Sequence, residues 1–479
     1  MSYRYGKRYQ SVLLPQCIED YVPTDAPVRA YDAFVEALDF NALGIHLNAH
    51  KVGNSEYDPK AMLKLLVYGY SYGLKSSRKL ERETHYNLSF MWLMGGLKPD
   101  HKTISEFRRK NKNKLKKVIK LCARLCIKLG LIDGNVLFID GTKIRANAAR
   151  GKTRDKAWYK EQLKNLDQRI ELLLNECESI DQQEHHKGSL VTMNKELAKT
   201  ERLKNTVQKA LEEFKRTNKS KINQTDPDCS IMKGVQGSHS SYNVQSVVDE
   251  KNGLIVNTDA VDDTSDIHQF AEQVDEANKV LEQPCDVACA DTGYAHTNEL
   301  EKIDAQDILV IVPSKRQGQR NGKLPFSKYD LNYDKEQDCY ICPEGHKLRH
   351  ITTEKKTGEK RYQIVDKELC VKCKHFGTCT KSKHGRRTSR AHNEDVKERL
   401  EAQYEKKGSQ EIYTKRKTLV EHPFGHIKRN LKTDAFTLRG REGVQAEASL
   451  LASCFNIARM ITLLGVPGLI QKLSIQALP

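Results

Sequence analysis

The sequence lacks three features that would assign it at once to a common class of protein. No apolar run follows the polar and basic residues 1–10, so we expect no secretory signal. The most apolar stretch, residues 450–470, is interrupted by Asn456, Arg459 and Pro467, which predicts a core helix and no membrane span. There is also no HExxH motif, so a zinc-dependent hydrolase is a poor fit.

Acidic residues are fewer than basic ones. The chain has 63 Asp and Glu against 80 Lys and Arg, which gives a formal net charge of +17. Such an excess favours polyanionic partners, with nucleic acid as the first candidate, although charge alone does not exclude a basic protein with another role. At 479 residues, 38% hydrophobic and 30% charged, the sequence predicts a soluble, globular protein of two or three domains.

The 13 cysteines form an odd count and are scattered apart from one cluster. Without a predicted secretory signal, this favours reduced thiols and a metal site over disulfides. The cluster contains Cys339-x2-Cys342 and Cys370-x2-Cys373, followed by Cys379. Paired CxxC motifs tens of residues apart are typical of a zinc ribbon, but five cysteines compete for four places, and free thiols in a loop are the alternative. Three histidines are lesser candidates: His346, His375 and His384.

Residues 1–130 carry the spacing of helices. Asp58-Pro59 offers a capping side chain and a proline at the first helical position. Thr103 and Glu106 predict a capping box for a later helix, which Gly130 can end. One face of that helix is strongly basic: Arg108, Arg109, Lys110, Lys112, Lys114, Lys116 and Lys117. A solvated face and a contact with the DNA backbone fit this run equally well, and the two arginines are the predicted DNA contacts.

Residues 151–230 are predicted to form a helical hairpin inserted into the next domain. Apolar positions in its first half follow a heptad seam: Leu163, Leu166, Ile170, Leu173, Cys177 and Ile180. After a break near His185 and His186 the pattern continues: Leu203, Val207, Leu211 and Phe214. A structural role is expected, with a dimer contact as the second choice.

Short apolar runs predict five strands, at 135–140, 241–249, 254–260, 286–291 and 308–312. Helices are expected between the later strands and from residue 393 onward, and a basic, loop-rich stretch separates the last strand from the final helices. Without the insertions, this order fits an α/β (α+β) ribonuclease H-like domain, whose first three strands are antiparallel and whose next two are parallel.

The expected organisation is therefore a helical N-terminal domain, residues 1–130, and a ribonuclease H-like domain, residues 131–479. A helical hairpin at 151–230 and a zinc-ribbon-like, cysteine-rich insertion at 320–390 interrupt the second domain.

Two predicted strands end in a carboxylate that is followed within two residues by glycine, namely Asp140 and Asp291. A third carboxylate, Glu421, lies on a predicted helix, with Lys428 two turns later on the same face. Cleavage of a phosphodiester needs in-line attack, and two divalent ions about 3.5–4 Å apart can assist both the attacking and the leaving oxygen. Magnesium takes oxygen ligands, so converging carboxylates suffice. An ordinary turn at each aspartate and an ordinary amphipathic helix at Glu421 are the alternatives.

These segments resemble the DDE transposases of bacterial insertion sequences, in the branch with an N-terminal helical domain and a cysteine-rich insertion. Residues 57–109 resemble the family's helical domain. Residues 139–143 and 290–294 resemble its first two catalytic segments, and residues 420–429 resemble the third, which is the most specific.

The family's tyrosine–arginine–glutamate–lysine signature maps onto four residues: Tyr413, Arg416, Glu421 and Lys428. Four residues separate Arg416 from Glu421, where the family has three. By resemblance, Asp140, Asp291 and Glu421 would hold two Mg²⁺ (or Mn²⁺) ions. Water would free a 3′-hydroxyl at the element end, and that hydroxyl would attack target DNA. Arg416 and Lys428 would contact phosphate near the cut.

The resemblance also implies a structural zinc ion, partners and a location. The zinc ligands would be Cys342, Cys370, Cys373 and Cys379, which leaves Cys339 spare. Partners would be double-stranded DNA, as element ends and target, bound by a homodimer in the cytoplasm at the nucleoid. Two alternatives stay open: a catalytically inactive DNA-binding protein derived from a transposase, and a ribonuclease H-like nuclease that only hydrolyses.

Overall fold

The computed structural model describes residues 17–45, 56–181, 187–217, 219–234, 237–318, 326–355 and 357–476, without the side chains of 177–181 and 187–191. The chain divides into two units. The first unit is Met1–Asp266, Asp275–Pro284 and Thr418–Pro479, and the second is Ile267–Val274 and Cys285–Lys417. The predicted hairpin break at His185 and His186, and the side chains of Cys177 and Ile180, lie outside the described residues.

Helices dominate both ends of the described chain, and strands occupy its middle. The helices are α1 (Pro27–Glu36), α2 (Phe40–Leu43), α3 (Pro59–Ser71), α4 (Ser77–Tyr86), α5 (Leu88–Leu93), α6 (His101–Leu115), α7 (Val118–Lys128), α8 (Lys156–Asp181), α9 (Lys187–Arg216), α10 (Phe270–Leu281), α11 (Thr297–Asp304), α12 (Lys367–Val371), α13 (Glu394–Tyr404), α14 (Lys407–Arg429) and α15 (Arg441–Gln476). The strands are β1 (Val136–Arg145), β2 (Thr153–Asp155), β3 (Lys221–Asn223), β4 (Ser230–Gly234), β5 (Gly237–Asp249), β6 (Ile255–Val261), β7 (Val287–Cys289), β8 (Leu309–Ile311), β9 (Asn332–Asp334), β10 (Cys339–Ile341), β11 (Lys347–Thr353), β12 (Lys360–Ile364) and β13 (Arg387–Arg390).

The N-terminal region is helical, and two predicted helix boundaries are confirmed. α3 begins at Pro59, where the Asp58 carboxylate accepts the Lys60 backbone N–H at 3.0 Å. α7 ends just before Gly130, which adopts a left-handed φ of 68° that favours glycine.

The start of α6 differs from the prediction. Asp100 is the capping residue, and its carboxylate accepts the Thr103 backbone N–H at 2.6 Å. The predicted capping box of Thr103 and Glu106 is therefore wrong, because Asp100 offers a carboxylate earlier in the chain and the helix has already begun at His101. The single helix predicted between Thr103 and Gly130 is also divided, since residues 116–117 separate α6 from α7.

α8 and α9 form the predicted helical hairpin. Its core contains Tyr159, Val207 and Phe214, with Thr200 buried one heptad before Val207. Leu203 does not belong to the seam as predicted, because it is 41% exposed. α9 packs against α8, and Leu203 lies on the exposed side of this hairpin.

The first unit contains the first three long strands, and they are antiparallel as predicted. β5 pairs with β1 along one edge. Along its other edge β5 pairs first with β4 and then, further along the strand, with β6. β1 continues to Arg145, so Asp140 lies in the middle of a strand and not at its end. The reason is the length of β5, which pairs with β1 from Leu137 through Arg145.

The second unit contains the parallel pair β7 and β8, as predicted. It also contains a five-stranded antiparallel sheet in the order β13-β12-β11-β10-β9. The expectation of a loop-rich stretch there is wrong. The strands are short and mostly polar, so no apolar run longer than residues 339–342 marks them in the sequence. The core residues of this sheet are Leu331, Tyr340, Leu348, Tyr362 and Ile364.

α15 is the core helix that the sequence predicted. It packs against α1, α3, α6 and α7, all in the first unit. Within the described residues it is the one helix long and apolar enough to cross a membrane, and 61% of that stretch is buried inside the protein. Gly465 has non-helical angles (φ 68°, ψ 166°) and kinks the helix ahead of Pro467.

Candidate functional site

Asp140 lies part-buried on β1 in the first unit. Three buried apolar residues precede it in the strand. Its Oδ1 accepts the backbone N–H of Gly141 at 2.9 Å, and it stands opposite Ser246 of β5. A carboxylate on a strand paired along its length has a defined position, as metal binding or phosphate chemistry requires.

Gly141 leaves room for a polar network. A Cβ at this position would lie 2.5 Å from Gln245 Nε2 and 2.7 Å from Asp266 Oδ1. The Asp266 carboxylate accepts side-chain hydrogen bonds of 2.7 Å from both Asn243 and Gln245. Glycine follows Asp140 because the Gln245 and Asp266 side chains approach the backbone there too closely for a Cβ atom, and the chain makes no turn at this point. Sequence reasoning missed Asp266, because only the pairing of β1 with β5 brings its two partners beside the first carboxylate segment.

Lys428 connects α14 with β1. Its Nζ donates to Thr142 Oγ1 at 2.6 Å. Burial lowers the pKa of Lys428, and the negative charges of Asp140 and Asp434 act in the opposite direction. Glu421, seven residues before Lys428 on the same helix, is exposed. The first unit thus places the lysine of the third predicted segment in electrostatic contact with the first aspartate.

Two buried charged residues hold the segment that follows α14. The Lys75 ammonium donates to the Lys432 carbonyl and to Thr433 Oγ1, both at 3.2 Å. The fully buried Glu447 accepts the Thr437 backbone N–H at 2.9 Å. Burial raises the pKa of Glu447 and lowers the pKa of Lys75, and the attraction between their charges partly offsets both shifts. Sequence reasoning missed this pair, since neither residue stands in a motif.

Asp291 lies in the second unit, two residues after β7. Its Oδ1 accepts the Gly293 backbone N–H at 2.8 Å and caps the short helical turn Thr292–Tyr294. The Arg416 guanidinium lies 5.7 Å from the centroid of the Tyr413 ring. Burial raises the pKa of Tyr413, while the charge of Arg416 lowers it and that of Asp291 raises it. These three predicted residues are therefore close enough for their charges to interact.

The three predicted carboxylates are divided between the units. Asp140 and Glu421 belong to the first unit, and Asp291 belongs to the second. Within each unit, a residue of α14 lies near the local aspartate segment: Lys428 donates to Thr142 in the first, and the charge of Arg416 acts on Cys289, two residues before Asp291, in the second.

Four of the clustered cysteines gather beside the five-stranded sheet, whereas Cys339 is buried inside it. Burial raises the pKa of the Cys379 thiol, and the other three cysteines add to this effect through their charges. Backbone N–H groups donate to the sulfurs of Cys370 (3.4 Å) and Cys373 (3.5 Å). No three of the described sulfurs lie within 4.8 Å of one another, so a bound ion would draw them closer.

Arg108 and Arg109 have opposite environments. Arg108 is 5% exposed, and its guanidinium donates to the Lys75 carbonyl at 2.7 Å and to the Tyr70 hydroxyl at 3.3 Å. Arg109 has a 72% exposed side chain that pairs with Glu106 at 2.6 Å. Arg108 would have to break its internal hydrogen bonds to reach DNA, so its predicted role is corrected to a structural one.

Two family models match separate segments of the chain. The model described as "Transposase domain (DUF772)" matches residues 16–110, which include the N-terminal helices. The model described as "Transposase DDE domain" matches residues 341–461, which include Glu421, Lys428 and the four gathered cysteines. No curated protein matches the chain. The two matches confirm the resemblance read from the sequence: residues 16–110 match a transposase domain, and residues 341–461 match a transposase DDE domain.

Proposed function

We propose that this transposase cuts DNA and joins the freed end to target DNA with the carboxylates Asp140, Asp291 and Glu421. The observation that carries the proposal is the position of α14. Lys428 donates a hydrogen bond to Thr142 in the strand of Asp140, and the charges of Arg416 and Asp291 both act on Tyr413. Each of these interactions lies within one unit. A helix with only a structural role would need neither contact.

The strand pattern supports a ribonuclease H-like catalytic core. Three antiparallel strands, β1, β5 and β6, come first in the chain, and the parallel strands β7 and β8 follow. The first two carboxylates stand on or directly after strands of this set. This is the arrangement that the sequence predicted for such a core.

The donor chemistry fits Mg²⁺ or Mn²⁺. The three side chains offer only carboxylate oxygens, and backbone N–H bonds orient both aspartates. When bound, two such ions would assist the attacking oxygen and the leaving oxygen of a phosphodiester. Asp140, Asp291 and Glu421 would hold them.

The charged residues of the chain would bind and orient the DNA strand. Lys428 and Arg416 would contact phosphate oxygens near the cut. In the first step a water oxygen bonds to phosphorus, and the 3′-oxygen leaves with a proton as a free hydroxyl. In the second step that hydroxyl oxygen bonds to a target phosphorus, and the target's own 3′-oxygen leaves.

The partner would be double-stranded DNA, as element ends and as target. The net charge of +17 and the exposed Arg109 on α6 favour backbone contacts. We further propose that two copies act together on DNA at the nucleoid, in the cytoplasm. α9 of the hairpin exposes Leu203, and α8 exposes Leu172 and Leu174, which would suit a contact between copies.

A structural Zn²⁺ would organise the cysteine-bearing sheet. Cys342, Cys370, Cys373 and Cys379 supply four thiolates, and two of them already accept backbone N–H groups. Four protein ligands leave no open coordination position, so this ion would stabilise the fold and would take no part in strand cleavage.

Strand cleavage and joining by the full chain test the proposal. Duplexes would be made from the inverted repeats that flank the gene and incubated with Mg²⁺ and a supercoiled target plasmid. We expect wild type to nick and join these ends, and Glu421→Gln to lower both rates by at least about 100-fold. Glu411→Gln changes an exposed glutamate of the same helix and should retain full activity.

The alternatives give different results. Binding without cleavage by the wild type would indicate a DNA-binding derivative of a transposase. Cleavage without joining would indicate a hydrolytic nuclease. Undiminished cleavage by Glu421→Gln would overturn the assignment of this residue.

A further inference from the structure

Outside the proposed active site, three ligating side chains meet in the second unit. His268 stands just before α10, His296 directly precedes α11, and Glu299 lies in the first turn of α11. One ligand atom from each lies within 4.8 Å of the others, and they are the only such group found in the described part of the chain. The two imidazole rings are 4.9 Å apart and inclined at 71°.

The surroundings of these residues leave a buried ring nitrogen without a partner. His296 Nδ1 is buried and has no hydrogen-bond partner among the described residues. An unsatisfied buried polar atom costs free energy, which a bound ion could recover. The Glu299 side chain is 13% exposed, and its carboxylate forms an ion pair of 2.7 Å with the Lys302 ammonium. The Lys302 side chain is 60% exposed, so it can turn into water when a cation takes its place.

We propose that His268, His296 and Glu299 bind one divalent transition-metal ion, with Zn²⁺ as the first candidate. Two imidazoles and one carboxylate are a borderline donor set, which suits Zn²⁺, whereas Mg²⁺ prefers oxygen ligands alone. Three protein ligands leave one coordination position for water or another small ligand. The site shares no residue with the proposed carboxylate and cysteine sites, so it does not rest on the proposed function.

The site borders a cleft and connects two segments. His296 lines a cleft of about 460 Å³ with Ser314, Tyr329 and Asn393, which gives small ligands access to the histidine. An ion here would tie the turn before α10 to the start of α11. α11 begins six residues after Asp291, so the ion would also restrain the segment that carries this aspartate.

The test is a zinc titration of the metal-stripped full chain in saturating Mg²⁺, read by calorimetry and by elemental analysis of bound zinc. We expect His268→Ala and His296→Ala each to bind one zinc equivalent fewer than wild type. Loss of a supporting residue around a metal ligand weakens binding about 10–100-fold, so loss of a ligand should weaken this site by at least about 100-fold. His392→Ala removes an exposed histidine outside the group and should leave binding unchanged.

A second variant separates a lost ligand from a damaged fold. Lys302→Ala removes the ammonium group that forms an ion pair with Glu299, so zinc should bind several-fold more tightly. Misfolding would not produce tighter binding. Replacing zinc by Co²⁺ separates the sites, because thiolate charge-transfer absorption should vanish in Cys370→Ser and persist in His268→Ala. Equal zinc stoichiometry and affinity in wild type, His268→Ala and His296→Ala would overturn the proposal.

Discussion

Lys428 on α14 donates a 2.6 Å hydrogen bond to Thr142 on β1, two residues from Asp140. Residues two apart in a strand point to the same face of the sheet, so Lys428 lies on the face that carries Asp140. The bond places the last predicted motif of the chain against the first within one unit. It also gives the role of Lys428 a direct test, because the hydrogen bond and the charge can be removed separately.

Lys428→Met removes the positive charge, whereas Thr142→Val removes only the hydroxyl group that accepts the hydrogen bond from Lys428. If Lys428 stabilises the charge that develops on the cleaved phosphate, Lys428→Met should slow strand cleavage by about 100-fold. Thr142→Val leaves the ammonium in place, so we expect a loss below about tenfold. Single-turnover cleavage rates at a DNA end would measure both. Equal losses in the two variants would show that the lysine acts only through the threonine.

Local patterns in the sequence were sufficient for most helices and for the order of the strands. The cap at Asp58 and the stop at Gly130 depend on neighbouring residues alone, and both are confirmed. The position of Asp140 within β1 was not predicted, because the length of β1 is set by its pairing with β5. The sheet at residues 332–390 was missed because its strands are short and mostly polar, with no apolar run longer than residues 339–342.

Charged residues at the predicted site show a second limit of sequence reasoning. A run of basic residues on α6 gives no sign that Arg108 is buried and Arg109 exposed. That difference arises from the packing of α6 against α3 and α4, which places the Tyr70 hydroxyl and the Lys75 carbonyl beside Arg108. The pair Lys75 and Glu447 is likewise a product of packing.

Arg108→Ala and Arg109→Ala should therefore have opposite effects. Loss of the buried guanidinium leaves the Lys75 carbonyl without its partner, so Arg108→Ala should lower the free energy of unfolding by about 2–4 kcal/mol. Arg109→Ala should leave stability within about 0.5 kcal/mol but weaken DNA binding and reduce its salt dependence by about one phosphate contact. Urea unfolding and binding titrations at several salt concentrations would measure these effects. A weaker salt dependence in a fully stable Arg108→Ala protein would contradict the structural role.

Glu447 should make stability fall with rising pH. Folding raises its pKa above the ordinary value of 4.5, so the folded chain binds more protons than the unfolded chain between that value and the raised one. Stability from this carboxyl is therefore complete below pH 4.5 and is lost as the pH rises through the folded pKa. Urea unfolding at successive pH values would measure this loss of stability.

Glu447→Gln isolates this effect from the other carboxyl groups, because glutamine does not titrate. The stability of wild type relative to Glu447→Gln should be highest at pH 4.5 and below, and it should decrease as the pH rises above that value. Glu201→Gln, which replaces an exposed residue of α9, should differ from wild type by the same small amount at every pH. A constant difference between wild type and Glu447→Gln would rule out titration of this group.

Substitutions in the cysteine cluster should distinguish the four proposed metal ligands from Cys339, which lies in the core of the sheet. Cys370→Ser should abolish one equivalent of bound zinc and destabilise the five-stranded sheet, because the thiolate is a ligand and serine is a poor one. Cys339→Ala removes a sulfur that is 1% exposed inside β10, so zinc should stay bound while stability falls by about 1–2 kcal/mol. Elemental analysis after exhaustive dialysis would measure the zinc content.

Chelation provides the matching test on the wild-type chain. Removal of the ion should release the four cysteines from one another, so protease cleavage should increase within residues 332–390 and should leave β1, β5 and β6 intact. Cys339→Ala should respond to the chelator as wild type does, whereas Cys370→Ser should be cleaved there even without it. If Cys339→Ala loses zinc and Cys370→Ser keeps it, Cys339 is a ligand and the assignment of the four cysteines is wrong, because a buried strand residue would then have to turn out of its sheet to reach the ion.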